Sequence, residues 1–361
     1  MRSGFVTIIG RPNAGKSTLL NSLVGEKLAI VTHKAQTTRS RITGIVNVKR
    51  KGKRPAGQVV FVDTPGVHKP EDQLNRRMMQ EVYDSLEGCD LILLIVDVTQ
   101  KFGTGDEFVL DIVKRAKASA IGGPASATGG PSVGPYPSLG RSRVPATFLL
   151  LNKIDLFEKT KLLPAIEAWS ARFDFAQIVP ISAEKELGKD ELLTAVVNAL
   201  PEGPKYFPED QITDQPERFI VAELIREQIL INTAQEVPYA SGVRIEKFEE
   251  GTRLSKISAV IFVEREGQKA IIIGKQGAML KHIGTRARQQ IERILGVKVY
   301  LELFVKVREG WRDNALDVDE AIDWRKQLES LNTRLSDKDE KAGHSKPAKK
   351  QKTSQAKTQE S

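Results

Sequence analysis

Short apolar runs alternate with segments of helical periodicity along the first two hundred residues of the chain. Buried strands that alternate with helices are typical of a mostly parallel sheet covered by helices on both faces. We therefore predict an α/β domain over residues 1–203. Its predicted strands are residues 5–9, 58–62, 90–98, 147–151 and 177–181.

The pattern changes after a proline-rich stretch. Four prolines between residues 201 and 216 interrupt regular structure, so residues 204–217 are predicted to form a linker. Beyond the linker, a helix over 218–230 precedes two strands, a helix pair and a final strand, which predicts an α+β domain over residues 218–308. The predicted strands are residues 241–248, 257–263 and 297–307, and the apolar face of the last helix is Leu280, Ile283, Ala287, Ile291 and Ile294.

The loop after the first strand has the composition of a phosphate-binding site. A strand, a G-x-x-x-x-G-K-S loop and a helix follow one another, and glycines let backbone N–H groups wrap a phosphate chain at the helix N-terminus. Lys16 is predicted to reach the outer phosphates, and the Ser17 hydroxyl to hold Mg²⁺. The predicted phosphate-binding residues are Gly10, Arg11, Pro12, Asn13, Ala14, Gly15, Lys16, Ser17 and Thr18.

Two further segments are suited to sensing the terminal phosphate. The residues Asp63, Thr64, Pro65 and Gly66 follow the strand 58–62. Asp63 is predicted to hold Mg²⁺ through water, and Gly66 to present its N–H to the terminal phosphate and swing when that phosphate leaves. In the polar loop upstream, Thr38 is predicted to be a second hydroxyl ligand of Mg²⁺, with Thr37 as the alternative.

The base is predicted from residues 152–155. The Asp155 carboxylate can accept from both N1–H and the exocyclic amine of guanine, whereas adenine offers no such donor pair. Lys153 can lie across the base and Asn152 can brace the loop. Ile154 completes the motif, and a backbone N–H at Ser182 or Ala183 can contact guanine O6. We therefore predict binding of GTP and GDP.

The second domain contains a G-x-x-G loop between two predicted helices, at Gly274, Lys275, Gln276 and Gly277. This arrangement is typical of a KH domain, in which the glycines admit a phosphodiester and the groove holds about four unpaired nucleotides. Residues 265–308 contain ten Lys or Arg and three Asp or Glu, so this segment carries +7 of the chain's net charge of +9. Lys281 and Arg288 are predicted to contact RNA with the loop.

These motifs together resemble one family. G-R-P-N-A-G-K-S-T, the Thr-Thr-Arg loop, D-T-P-G, N-K-x-D and S-A occur in the order found in translation-factor-related GTPases, in the branch of the Era family. In the second domain, the runs A-V-I-F-V-E-R, Gly267 to Arg288 and V-Y-L-E-L-F-V-K-V-R-E-G-W-R are similar to the same family almost without gaps. The resemblance covers residues 3–314 apart from one insertion.

The resemblance implies more than the residues alone. It implies a cytoplasmic, partly membrane-associated GTPase whose type II KH domain binds the 3′ end of 16S ribosomal RNA and helps to mature the 30S subunit. Val67 stands where many GTPases have a water-orienting glutamine, so intrinsic hydrolysis is expected to be slow. In similar GTPases an asparagine at the position of Asn13 helps to bind K⁺. The candidate catalytic residues are Asn13, Lys16, Thr38 and Gly66.

Some segments depart from the family pattern. Residues 119–144 are rich in Gly, Pro, Ser and Ala and are predicted to be a disordered insertion. The extension 309–361 is predicted to contain a polar helix over 317–335 and a disordered lysine-rich tail over 338–361. Cys89 is predicted to fill the core, and the longest strongly apolar run, 91–96, is too short to cross a bilayer. We expect a monomer.

Two other functions fit the same motifs. One is an RNA-binding assembly protein whose nucleotide is structural and rarely hydrolysed. The other is a signalling GTPase at the membrane surface that uses the basic tail.

Overall fold

The computed structural model describes residues 1–34, 36–121 and 144–322. In the N-terminal domain, strands and helices alternate as predicted, except that residues 42–48 form a strand absent from the prediction, which a turn joins directly to the next strand. The strands are β1 (Arg2–Ile9), β2 (Ile42–Val48), β3 (Gly57–Asp63), β4 (Leu91–Asp97), β5 (Ala146–Asn152) and β6 (Gln177–Pro180). The helices are α1 (Lys16–Val24), α2 (Gln73–Leu86), α3 (Thr104–Ile121), α4 (Leu162–Ser170) and α5 (Lys189–Ala199).

The six strands form one sheet in the order β2-β3-β1-β4-β5-β6. Only β2 is antiparallel to its neighbour, so the predicted mostly parallel sheet is confirmed. One apolar core lies between the sheet and α1 and α5, and a second lies between the sheet and α2, α3 and α4. Because all the parallel strands end at the same edge, the predicted nucleotide motifs meet there.

The second domain has a three-stranded sheet that packs against helices on both faces, two long helices on one and the short last helix on the other. Its elements are α6 (Glu217–Asn232), α7 (Val237–Ala240), β7 (Gly242–Glu249), β8 (Leu254–Val263), α8 (Glu266–Ile273), α9 (Ala278–Leu295), β9 (Lys298–Val307) and α10 (Ala315–Ile322). β7 is antiparallel to β8, and β8 is parallel to β9. Ile283, Ala287 and Ile291 of α9 are fully buried in its core. The predicted face extends too far, since Ile294 in the last turn is 43% exposed.

The predicted linker is held against the edge strand β2. The Ile45 N–H donates to Ile212 O at 2.8 Å, and the Thr213 hydroxyl donates to Thr43 O at 2.7 Å. At the other end of the linker, the Tyr206 N–H donates to Gln58 Oε1 at 2.7 Å. The linker therefore covers the open edge of the sheet along its whole length, from the β2–β3 turn to the second domain.

The C-terminal extension begins with a packed segment between the domains. Trp311 is fully buried, and its indole N–H donates to Ala240 O at 2.8 Å. Val318 and Ile322 of α10 pack with Leu74 and Met78 of α2. Of the polar helix predicted over 317–335, only the part that falls within α10 is described. That part buries the apolar residues Val318 and Ile322.

Three predicted segments lie partly or wholly outside the described residues. Helix α3 continues to Ile121, so the predicted start of the insertion at residue 119 is wrong, because three of its residues extend the helix. Residues 122–143, the rest of the predicted 317–335 helix and the tail 338–361 lie outside the described residues. Within the described ranges, no helix combines the length and apolar character needed to span a bilayer.

Candidate nucleotide site and nucleic-acid interface

The phosphate-binding loop fills the space between β1 and α1, where close packing requires its glycines. A Cβ on Gly10 would lie 2.3 Å from the Ile95 carbonyl oxygen. Gly15 has φ +101°, and a Cβ there would lie 2.2 Å from Asn152 Nδ2. The loop therefore packs too closely against β4 and Asn152 to admit a side chain at either glycine.

Lys16 is buried at the base of this loop. Its Nζ donates to Gly10 O at 3.1 Å and to Arg11 O at 3.0 Å. Burial lowers the pKa of Lys16 to about 8, and the Asp63 carboxylate partly opposes this effect. A triphosphate would place further negative charge next to this buried ammonium group. The position of Lys16 therefore favours an anionic ligand.

Three predicted magnesium ligands meet in the structure. The Ser17 hydroxyl lies 2.6 Å from Asp63 Oδ2 and 2.8 Å from the Thr38 hydroxyl. Burial raises the pKa of Asp63 to about 6, and Asp63 Oδ1 is buried without a hydrogen-bond partner. Two hydroxyls and a carboxylate with a spare oxygen are the hard ligands that Mg²⁺ prefers, so these residues fit the ion.

The geometry also separates Thr38 from Thr37. The Thr37 hydroxyl donates to Lys34 O at 2.7 Å and lies 2.8 Å from the Thr32 hydroxyl. It is therefore engaged within its own loop, whereas Thr38 faces Ser17 and Asp63. The arrangement favours Thr38 as the second hydroxyl ligand.

The segment after Asp63 packs on the phosphate loop. A Cβ on Gly66 would lie 2.8 Å from Pro12 Cγ, and the Val67 N–H donates to Gly10 O at 3.1 Å. The Val67 side chain is buried in the apolar core with α2 and α3. It cannot orient a water molecule, as the sequence indicates.

His68 lies beside this segment and was missed in the sequence analysis. Its Nδ1 lies 2.8 Å from Gly66 O, and its Nε2 lies 3.0 Å from Asn75 Oδ1. Gln36 Nε2 donates to the same Asn75 oxygen at 3.0 Å. These contacts join the loop that carries Thr38 to the loop that carries Gly66.

The predicted guanine motif is braced as expected. Asn152 Nδ2 donates to Ala14 O at 2.8 Å, while Asn152 Oδ1 accepts from the Ala183 N–H at 2.9 Å. Asn152 thus ties the two guanine loops to the phosphate loop. Asp155 is exposed at the mouth of the site. The Ala183 N–H donates to Asn152 and the Ser182 N–H donates to Leu187 O at 3.1 Å. The contact from residues 182–183 to guanine O6 stays a prediction.

Asp97 positions the lysine of this motif. Lys153 has φ +68°, and its Nζ lies 2.6 Å from Asp97 Oδ2. Asp97 was not among the predicted site residues, although it ends β4 directly opposite Asn152 on β5. The sequence does contain a sign of this role, because Asp97 is a carboxylate at the end of the strand before the one that carries the N-K-x-D motif.

The switch loop, residues 25–41 between α1 and β2, is held by the second domain. Lys27 Nζ lies 2.6 Å from Glu227 Oε2 of α6, and the Val31 N–H donates to Glu227 Oε1 at 3.3 Å. Arg226 of α6 donates to Thr37 O, and Lys34 donates to Leu230 O. Thr37, the residue before Thr38, and three positions further upstream are therefore bonded to α6.

Arg39 makes the most extensive of these contacts. Its guanidinium donates to Ser241 O at 2.7 Å, to Tyr239 O at 2.9 Å and to Pro238 O at 3.3 Å. It also lies over the Trp311 ring, 5.8 Å from the centroid. Burial lowers the pKa of Arg39 to about 9, with the Arg226 charge as a further cause. Arg39, which directly follows Thr38 in the chain, is therefore bonded to three carbonyls of the second domain.

The G-x-x-G loop connects α8 to α9 as predicted. Gly274 has φ +71°, and a Cβ there would lie 2.6 Å from Met279 Cβ. Gly277 has φ +78° and caps α9, and a Cβ there would meet no atom within 4 Å. The side chains of Lys275, Gln276, Lys281 and Arg288 are exposed on the same loop and helix.

A phosphate loop with a guanine motif, followed by a helix–strand–strand–helix–helix–strand unit with G-x-x-G, defines a P-loop GTPase that carries a KH domain. The family model described as "50S ribosome-binding GTPase" matches residues 5–121, and the KH domain model matches residues 236–312. The chain belongs to the Era family of GTPases. It is 46% identical over 315 residues to GTPase Era of Geobacter metallireducens, covering 87% of this chain and 95% of that protein.

Solved structures of Era agree with this assignment. A complex of Era with MgGDPNP and nucleotides 1506–1542 of 16S ribosomal RNA is 38% identical, with a TM-score of 0.76 and coverage of 89% of this chain and 98% of that one. A variant of Aquifex aeolicus Era bound to GDP and AlF4⁻ has the same identity and TM-score and covers 89% of this chain and 99% of that one. The chain is a GTP-binding and GTP-hydrolysing enzyme with a KH domain.

Proposed function

We propose that the chain is a GTP-driven switch that controls an RNA-binding groove, and that its RNA is the 3′ end of 16S ribosomal RNA in the maturing 30S subunit. The Era complex with nucleotides 1506–1542 of that RNA supports the choice of target. The +7 charge of residues 265–308 and the exposed G-x-x-G loop support RNA binding by this chain.

One observation carries the switch: Arg39 follows Thr38 directly in the chain and is bonded to the second domain. Thr38 is the residue expected to respond to Mg²⁺ and the terminal phosphate. A movement of Thr38 must therefore strain or break the Arg39 bonds to Ser241 O and Tyr239 O. The nucleotide state and the position of the KH domain are thereby coupled through the Thr38–Arg39 link, with the bonds of Thr37 and Lys34 to α6 as a second connection.

Hydrolysis in this site depends on positioning and charge. Ser17, Thr38 and Asp63 would hold Mg²⁺, which neutralises charge on the β- and γ-phosphates when it is bound. Lys16 and the backbone N–H groups of the loop bind the phosphates, and Gly66 can present its N–H to the outermost one. Since Val67 is buried, no side chain at that position orients the attacking water, which supports a slow intrinsic rate.

The first test of the switch is the substitution Arg39→Gln. The change removes a charged donor from three buried carbonyls, which should weaken docking of the KH domain on the switch loop by roughly 3 kcal/mol or more. GTP binding should persist, while the ratio of RNA dissociation constants between the GDP and GTP-analogue states should fall toward one. Fluorescence anisotropy with a labelled RNA of the 16S 3′ sequence measures both constants.

Arg76→Gln is the matched control, because Arg76 is exposed on α2. A wild-type ratio in the Arg39 variant would show that these bonds do not transmit the nucleotide state. Thermal unfolding of both variants shows whether each one still folds.

We also propose that Asn13 supports hydrolysis stimulated by K⁺. Asn13 has φ +62°, and its Nδ2 donates to His33 O of the switch loop at 3.0 Å, so the side chain lies between the phosphate loop and that loop. A cation there would add positive charge beside the β- and γ-phosphates. Phosphate release should be faster in KCl than in NaCl, and Asn13→Ala should remove the difference. Equal rates for the wild type in the two salts would rule out the K⁺ role.

Peripheral membrane contact and a monomeric state belong to the same proposal, with the lysine-rich tail as the source of membrane attraction. Sedimentation with anionic liposomes should decrease when the chain is ended at residue 337. If the truncated and full-length chains sediment equally, the tail does not serve that purpose.

Multiple-turnover phosphate release with and without RNA separates a switch from an assembly protein with a structural nucleotide.

A further inference from the structure

The turn between β2 and β3 is strongly basic. We define the basic hairpin as residues 49–54, which contain Lys49, Arg50, Lys51, Lys53 and Arg54. The chain has no Asp or Glu from residue 27 to residue 62. The hairpin therefore carries five like charges in six residues, at a place that the nucleotide and KH sites do not use.

The hairpin has a defined shape. The Lys51 N–H donates to Arg54 O at 3.1 Å, and the Arg54 N–H donates to Lys51 O at 3.0 Å. Gly52, with φ +57°, takes the first central position of this two-residue turn, which favours glycine. The cations are thus presented by a hydrogen-bonded turn at the end of a paired β-ribbon.

Only part of this charge is balanced within the chain. Asp190 of α5 lies 2.6 Å from Lys51 Nζ and 3.4 Å from Arg54 Nη1. Lys49, Arg50 and Lys53 are exposed, and among the described residues no carboxylate lies within 4.0 Å of their charged nitrogens. Glu209 interacts with Lys49 only at longer range, because it is paired with Lys205. Like charges so close together repel one another, and a dense anionic partner would remove that repulsion.

The hairpin and the KH domain lie at opposite ends of one edge of the G domain. The linker runs along β2 from Gln58 and Asn47, next to the hairpin, to Thr43 and Arg41, next to the second domain. Seven strand residues span about 23 Å. A single folded RNA could therefore contact both the hairpin and the KH groove.

The side chains of the hairpin indicate which part of an RNA it contacts. It has cations for phosphates but no aromatic residue on which an unpaired base could stack. We infer that the basic hairpin is a second RNA-binding surface, which takes the phosphate backbone of a double-stranded segment. It lacks the Trp, Phe or Leu residues that would insert into a membrane, which favours RNA over a lipid surface.

The test compares two triple variants with a blunt RNA duplex of about 20 base pairs, which has no unpaired strand for the KH groove. The first, the hairpin variant, is Lys49→Gln, Arg50→Gln and Lys53→Gln. It keeps Lys51 and Arg54, the two cations that are paired with Asp190. The control is Lys101→Gln, Lys114→Gln and Lys159→Gln, which removes the same charge from exposed positions elsewhere. Duplex affinity is measured from 50 to 200 mM KCl by anisotropy.

The hairpin variant should show a slope of log K against log salt that is smaller by about 2 to 3 than that of the wild type. Its duplex affinity at the lowest salt should fall by about tenfold or more, while the control keeps a slope close to wild type. GTP hydrolysis should be unchanged in both, because the hairpin is at the end of the sheet opposite the phosphate loop.

Equal slopes for the hairpin and control variants would overturn the inference. Loss of binding to phosphatidylglycerol vesicles with unchanged duplex binding would overturn it in favour of a membrane surface. The same series in a Gly274→Asp background separates this surface from the KH groove. If Gly274→Asp leaves binding of a single-stranded 16S 3′ RNA intact, the proposed KH function fails while the duplex result still stands or falls by itself.

Discussion

Asp155→Asn is expected to weaken GTP binding by a factor on the order of 10² to 10⁴, because two charge-assisted hydrogen bonds of roughly 1.5–3 kcal/mol each are lost. The surrounding motif is already fixed: Asn152 is bonded to Ala14 and Ala183, and Lys153 to Asp97. The substitution should therefore change the base contact and little else. The remaining amide can donate to the oxygen that xanthine carries in place of the guanine amine, so xanthosine triphosphate should gain affinity.

Competition against a fluorescent GTP analogue measures this change, with GTP, xanthosine triphosphate and ATP as competitors. Asp174→Asn is the matched control, since Asp174 is an exposed carboxylate of the same domain. An Asp155 variant that keeps the wild-type order of the three nucleotides would refute the assignment of residues 152–155 to the base.

Gly274→Asp is expected to abolish RNA binding and to spare GTP binding. Gly274 has φ +71°, and any Cβ there would lie 2.6 Å from Met279 Cβ, so the loop must move. The added carboxylate would also lie where a phosphodiester is expected to pass, and like charges repel. The nucleotide site is built from the other domain, so nucleotide affinity should stay within about twofold of wild type.

Two further variants keep this prediction testable if the loop distorts. Gly277→Ala adds a Cβ that meets no atom within 4 Å, but its φ of +78° lies in the left-handed region that favours glycine, so the substitution strains the backbone. It adds neither a clash nor a negative charge, so the loss of RNA affinity should be smaller than for Gly274→Asp. Lys275→Gln leaves the backbone unchanged and should weaken binding with a smaller salt slope, by about 1. Full RNA binding in all three variants would mean that the loop is not the RNA contact.

The nucleotide site could be predicted from the sequence because its parts are local. Each motif is a short segment at the end of a strand, and parallel strands bring those ends to one edge. Ser17, Thr38 and Asp63 accordingly meet within hydrogen-bond distance, and Asn152 braces the phosphate loop.

The contacts between the domains could not be predicted in the same way. Arg39 and Ser241 are 202 positions apart, and Lys27 and Glu227 are 200 positions apart. No periodicity in the sequence joins such distant residues. The linker prolines indicated an interruption, but they gave no sign that residues 206–213 would bond to β2 and Gln58. Val318 and Ile322 are buried only because they pack against α2. The local sequence of the extension contains no sign of that partner and therefore predicts a polar helix.

Asp97 and His68 were missed for a different reason. Both are next to a recognised motif in space or in sequence, but neither belongs to a pattern that defines a nucleotide site. Asp97 becomes informative only when the register places it opposite Asn152, and His68 only when Asn75 and Gln36 are brought to it.

The most direct test of the proposed switch is the dissociation constant of the 16S 3′ RNA, measured with the chain loaded first with GDP and then with a non-hydrolysable GTP analogue in Mg²⁺. Coupling through the switch loop predicts that the two constants differ, within the range of about 5- to 150-fold that is typical of allosteric proteins. RNA must change the ratio of GTP-analogue to GDP affinity by the same factor. Identical RNA constants in the two nucleotide states would contradict the switch.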